Sequence, residues 1–247
     1  MIEKTYLAAQ YLAAAGIQFV EKKEDDSHTN LGFDKNSGCL ITHPLSENGD
    51  ELRFNYNSFS LEWKSKNETT TLALDGKSHE EVLSWLNEKA MLYLNKEFSY
   101  SFHYEGTYPI TSSYVFKLSD ASQLNELLLL RKLGQNTLEL FVEENKLDTS
   151  IRIWPHHFDT GIYDLLPSTE VTVGLGLAIP DTLCNEFYFY ASGYKNSKSI
   201  NPSNFAVLKK GTWKSGGFTG AIFSAKDVDV TAATGFLKEV VTAFKNA

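Results

Sequence analysis

Residues 63–95 read WKSKNETTTLALDGKSHEEVLSWLNEKAMLYLN, and residues 213–245 read WKSGGFTGAIFSAKDVDVTAATGFLKEVVTAFK. The second stretch begins 150 residues after the first and aligns with it without a gap. Trp63, Lys64, Ser65 and Thr69 have identical counterparts in Trp213, Lys214, Ser215 and Thr219. Leu72 meets Ile222, Leu86 meets Phe236, Ala90 meets Val240, Met91 meets Val241 and Leu94 meets Phe244, so the apolar face of a helix is kept in register. Self-similarity over such a span is the signature of an internal duplication. A fainter echo lies upstream, where "GFD" ending at Asp34 resembles "HFD" ending at Asp159. The second half then needs additional residues, and 160–184 can hold them.

Working outward, each half reads as a helix, several antiparallel strands and a second helix. The fold class expected is α+β, with a first half over 1–118 and a second over 119–247. Residues 3–15 have helical spacing, with Gly16 at the expected stop. "GCLITHP", "ELRFNYN", "SFSLEWKS" and "TTTLAL" read as strands. Ser78 and Glu81 match a capping box, and a broad apolar face from Val82 to Leu94 follows. "FSYSFHY" (98–104) alternates cleanly and predicts a hairpin with "SYVFKL". Ser119-Asp120 starts a helix extended to about residue 144, across a weak point at Gly134. Residues 151–163, "EVTVGLGLAIP" and "EFYFYASGY" read as strands, 195–204 as a polar loop, and "FAVLKKGTWKS" with "FTGAIFSA" as a hairpin turned at Gly216-Gly217. A closing helix spans about 230–246. Short turns between strands, without βαβ alternation, favour antiparallel sheet flanked by helices.

Composition limits the function. The chain has 247 residues, 42% hydrophobic and 22% charged, as in an ordinary soluble domain. The net charge of −8, with no basic run longer than two residues, argues against a nucleic-acid or anionic-membrane partner. No apolar run reaches 18 residues, and Glu3, Lys4 and Gln10 interrupt any signal-like segment at the N-terminus. Cys39 and Cys184 form no metal or redox motif, and a cytoplasmic location is expected. The oligomeric state is left open.

The candidate chemistry centres on "RIWPHHFDTG", residues 152–161. Read as a strand, it points Trp154, His156 and Phe158 one way and Ile153, His157 and Asp159 the other. Adjacent histidines on opposite faces cannot share a metal, and the other histidines are scattered, so neither a metal nor a cofactor is expected. His157 and Asp159 share a face and form a candidate general base with its orienting carboxylate; the competing reading is a structural hydrogen bond. In "TVGLGLA", Thr172, Gly174, Gly176 and Ala178 make a strip of small residues that lets a ligand, or a packed helix, come close. Tyr188 and Tyr190 need partners for their hydroxyls and border a candidate polar pocket. Trp154, His156, Gly174, Gly176, Tyr188 and Tyr190 are therefore the candidate ligand-binding residues.

At "WPHHFD" followed by "FYFYASGY", the chain resembles an uncharacterised bacterial family known only as a domain of unknown function. Trp154, Phe158, Asp159, Phe187, Tyr188, Phe189 and Tyr190 carry the likeness, mainly over residues 120–247. It implies a family fold and no activity. The leading expectation is a protein that binds a small molecule in an aromatic-lined pocket. The alternatives are a hydrolase-like enzyme using His157 and Asp159, and a scaffold that self-associates through an edge strand.

Overall fold

The computed structural model describes residues 1–247. The fold is α+β: four α-helices and two antiparallel sheets, one of five strands and one of seven. The chain forms two compact units. The first comprises Met1–Leu130 with Ile153–His157, and the second comprises Arg131–Arg152 with Phe158–Ala247. No helix is long and apolar enough to cross a membrane.

The first unit opens with α1 (Ile2–Phe19), buried without a break from Thr5 to Gly16. A helix apolar on every side belongs inside a core, and its run of alanines allows close approach. The expected stop at Gly16 does not occur. That glycine serves packing instead, because a Cβ there would lie 2.8 Å from the His28 carbonyl oxygen. The sheet is a meander in sequence order: β1 (Gly32–Asp34), β2 (Cys39–Ile41), β3 (Glu51–Asn55), β4 (Ser60–Lys64) and β5 (Thr69–Ala73). Leu52 faces Trp63, and Phe54 faces Leu61, which faces Leu72, so the inward set stays in register.

Helix α2 (His79–Leu94) has the expected capping box: Ser78 Oγ accepts from Glu81 N (3.2 Å) and Glu81 Oε2 from Ser78 N (2.9 Å). Its buried apolar face is narrower than expected, a stripe of Val82, Leu86 and Ala90, while Met91 and Leu92 are exposed. The hairpin expected at 98–104 is absent. Those residues form no strand, and their alternation serves ring packing: Tyr100 lies 5.1 Å from Tyr11 of α1, and Phe102 lies 4.8 Å from Tyr100. Tyr114 to Phe116 bonds to 76–79 instead, with His79 N donating to Tyr114 O and Phe116 N to Lys77 O, both 2.8 Å.

Helix α3 (Ala121–Asn145) passes through Gly134 unbroken. A Cβ there would lie 3.0 Å from Leu177 Cδ2, so the glycine lets the helix approach the sheet. The second sheet contains β6 (Arg152–Trp154), β7 (Asp159–Leu165), β8 (Val171–Ala178), β9 (Tyr188–Lys195), β10 (Lys198–Ser199), β11 (Thr212–Gly216) and β12 (Phe218–Ser224), in the order β11-β12-β9-β8-β7-β6 with β10 on β9. Part of the expected polar loop is the β9–β10 hairpin. Asn196 (φ 51°) and Ser197 (φ 61°) both take the left-handed conformation that a two-residue turn of right-handed twist demands. Helix α4 (Val230–Lys245), capped by Asp229 accepting from Ala232 N (2.7 Å), packs Phe244 over Gly193, where a Cβ would lie 2.6 Å from the ring.

The two sheet-and-helix halves are compatible with duplication, since β4-β5-α2 and β11-β12-α4 answer each other. Each tryptophan packs on the end of its following helix: Trp63 stacks on Tyr93 (5.9 Å, 18°), and Trp213 lies 5.8 Å from Phe244. The strand orders differ, however. β4 is the inner strand of its hairpin, whereas β12, not β11, joins the rest of the second sheet.

Candidate functional site

The residues singled out from sequence fall into two places. In the second unit, Gly174 and Gly176 of β8 face β9, with Gly176 opposite Tyr190 and Gly161 opposite Gly176. At Gly176 the strip of small residues receives the Tyr190 ring. A Cβ on Gly176 would lie 2.6 Å from both Tyr190 Cε1 and Oη, and one on Gly161 would lie 2.7 Å from Oη. Gly174 lies beside Ser192, whose Oγ donates to the Gly174 carbonyl (3.3 Å). The Tyr190 hydroxyl donates to Asp159 Oδ2, and the Tyr188 hydroxyl to Asp181 Oδ2 (2.6 Å). Burial, reinforced by these carboxylates, pushes both phenols well above their usual range. Arg131, buried beneath, donates to Thr160 Oγ1 (2.6 Å) and the Phe158 carbonyl (3.1 Å) and lies over the Phe158 ring.

The stretch 151–163 is not one strand. Between β6 and β7 the chain turns at Trp154-Pro155-His156-His157, with His157 N donating to Trp154 O (3.2 Å) and Phe158 in the left-handed region (φ 57°). Proline sits at the turn position its fixed φ suits. The alternation that placed the histidines on opposite faces therefore does not apply, and their rings lie 4.2 Å apart. His156 packs against Trp154 (6.2 Å) and Tyr104 (5.7 Å), and Tyr104 donates to Gln10 Oε1 (2.9 Å). Gln10 Nε2 in turn holds the Pro155 carbonyl at 2.9 Å. Burial, with His157 and His103 close by, holds the His156 imidazole below its usual range against the opposing pull of Asp26. His156 is half-buried in this turn and His157 is exposed.

An open groove of about 580 Å³ lies elsewhere in the first unit, walled by three segments. The end of α1 supplies Phe19, Val20 and Glu21; the β2–β3 loop supplies Pro44 to Asn48; and the end of α2 supplies Tyr93, Leu94 and Lys96. Each wall has a local cause. Helix α1 runs past Gly16 and so delivers Phe19. The loop is pinned from inside, where Ser46 Oγ donates to the buried Asp50, Leu45 N donates to Asp50 O (2.7 Å), and Trp63 Nε1 reaches Asp50 Oδ1 at 3.4 Å. Helix α2 closes at Asn95 in the left-handed conformation, with N–H bonds to Ala90 and Met91 carbonyls. Tyr93 is held between Trp63 and Glu68, to whose Oε1 its hydroxyl donates at 2.7 Å. That bond, with burial adding to it, pushes the phenol up to about 12.

The sequence reading missed this groove. Its signal was the apolar pair Phe19-Val20 lying beyond the supposed helix stop, and an aromatic at the C-terminal turn of the capped helix. Its walls lie about 25 and 45 residues apart in the chain, beyond the reach of local periodicity. Comparisons with protein-family models, with curated proteins and with solved structures find no match to this chain.

Proposed function

We propose that the protein is a binding protein that takes a small molecule in the aromatic-lined groove between the ends of α1 and α2. The observation that carries this reading is the groove's make-up. Its volume of about 580 Å³ falls within the range of small-ligand sites, and it sets Phe19, Leu45, Tyr93 and Leu94 beside a few polar groups at its rim. The Tyr190–Asp159 pair is read as structural, because its ring is packed against glycine and its hydroxyl is hydrogen-bonded, and the half-buried His156 because its ring packs among Trp154, Tyr104 and His157. A fragment screen read by protein-observed NMR tests the proposal. Hits are expected to shift the amides of Val20, Leu45 to Asn48 and Tyr93 to Lys96. Hits confined to 154–159 and 188–190, or none at all, would overturn it.

A further inference from the structure

Four features set the charge of the groove. Glu21 and Glu47 stand on its walls, both exposed, with the base Lys96, and Glu21 lies 3.8 Å from Lys23. Two more carboxylates lie just behind the lining: Asp50, buried under Ser46, and Glu68 on the Tyr93 hydroxyl. Two helices end at the groove, and a helix C-terminus carries roughly half a negative charge. Neither α1 nor α2 has a basic residue in its last turn, where lysine or arginine commonly offsets that charge, as Lys245 does in α4. Two aromatic residues, Phe19 and Tyr93, are in the lining, and aromatic rings attract cations. A phenol that donates a hydrogen bond to a carboxylate, as Tyr93 does to Glu68, has a more electron-rich ring.

From this juxtaposition of two aromatic residues, two helix C-termini with no base in their last turns and more carboxylates than bases, we infer that the groove takes a small organic cation, an alkylammonium or quaternary ammonium head. The inference rests on the binding role proposed above and names its ligand class. An anion would meet the carboxylates and both helix ends. A neutral apolar body would use the rings and Leu45 but leave the field unused.

The test compares choline with 3,3-dimethyl-1-butanol, which has the same shape but carries carbon in place of the charged nitrogen. Both are titrated into the full chain, reading the amides of Val20 and Tyr93 and the Trp63 indole proton by NMR. Choline is expected to bind about tenfold more tightly than the neutral isostere, as a charge over aromatic faces predicts. Raising salt from about 20 mM to about 500 mM should weaken choline several-fold and leave the isostere unchanged. Glu47→Gln should weaken choline alone, and Tyr93→Leu, which keeps an apolar wall, should remove most of the preference for charge. Equal binding of the two probes would overturn the inference and leave the groove as a binding site. So would failure of choline where neutral fragments still map to the groove. If neither probe nor any fragment reaches the groove, the binding role fails with it.

Discussion

Substituting Gly176→Ala probes the packing of the second sheet at a point of close contact. The added Cβ would lie 2.5 Å from the Thr160 carbonyl oxygen and 2.6 Å from Tyr190 Cε1 and Oη. The carbonyl is backbone in a paired strand and cannot swing away. Relief must come from lifting the Tyr190 ring, which draws its hydroxyl off Asp159. Overpacking of this kind costs about 1–3 kcal/mol, and losing a hydrogen bond to a charged group about 1.5–3 kcal/mol more. The expected destabilisation is therefore about 2.5–6 kcal/mol. Gly235→Ala is the internal control. That glycine lies exposed within α4 with nothing within 4 Å, so alanine there should stabilise by roughly 1 kcal/mol. Urea unfolding, with hydrogen exchange of β8 and β9 amides to isolate the second unit, measures both. In a Tyr190→Ala background the Gly176→Ala penalty should fall by at least about 1.5–3 kcal/mol, the hydrogen-bond share, leaving the part due to the carbonyl. A Gly176→Ala protein as stable as the wild type, or a penalty unchanged by removing the ring, would refute the idea that the glycine exists to seat Tyr190.

Further outcomes follow from the caps and the titrating groups. Ser78→Ala should cost about 1 kcal/mol by removing the capping bond to Glu81 N, read as a lower thermal midpoint. Tyr11, Tyr100, Tyr104, Tyr188 and Tyr190 all have phenols raised chiefly by burial. The unfolded chain therefore loses protons near pH 10 while the folded one keeps them, and stability should fall from about pH 10 upward. Absorbance at phenolate wavelengths should show these tyrosines ionising only as the chain unfolds. His79, whose Nδ1 lies 2.7 Å from the Tyr11 hydroxyl, is held below its usual range by burial. Its contribution is present above about pH 6.5 and is lost as pH falls through the depressed value, so His79→Gln should flatten the acid limb of the stability profile.

What could be read along the chain was whatever local spacing specifies. Ser78-x-x-Glu81 fixed the start of α2 because both capping bonds lie within one turn. The alternation of "ELRFN" and "SLEWK" gave β3 and β4 because each strand has one buried and one wetter face. The same alternation misled at 98–104, where the period of two suits an extended segment whose rings pack on Tyr11 and one another without a ladder. Glycine was ambiguous for a related reason. Gly16 resembled a helix stop and Gly176 part of an open strip, and only the partners, His28 and Tyr190, show what comes close to each. The groove was invisible because its walls are held in place by Asp50, Trp63 and Tyr93, which meet from three separate segments.

The binding role is tested most directly by plugging the groove. Leu94→Trp, at a half-buried lining position near the end of α2, adds a large ring to the space without touching the β-sheets' registers. The account predicts a folded protein whose affinity for any groove-mapped fragment falls at least about tenfold, the loss of roughly 1.4 kcal/mol. Undiminished affinity in a protein shown to be folded would contradict it.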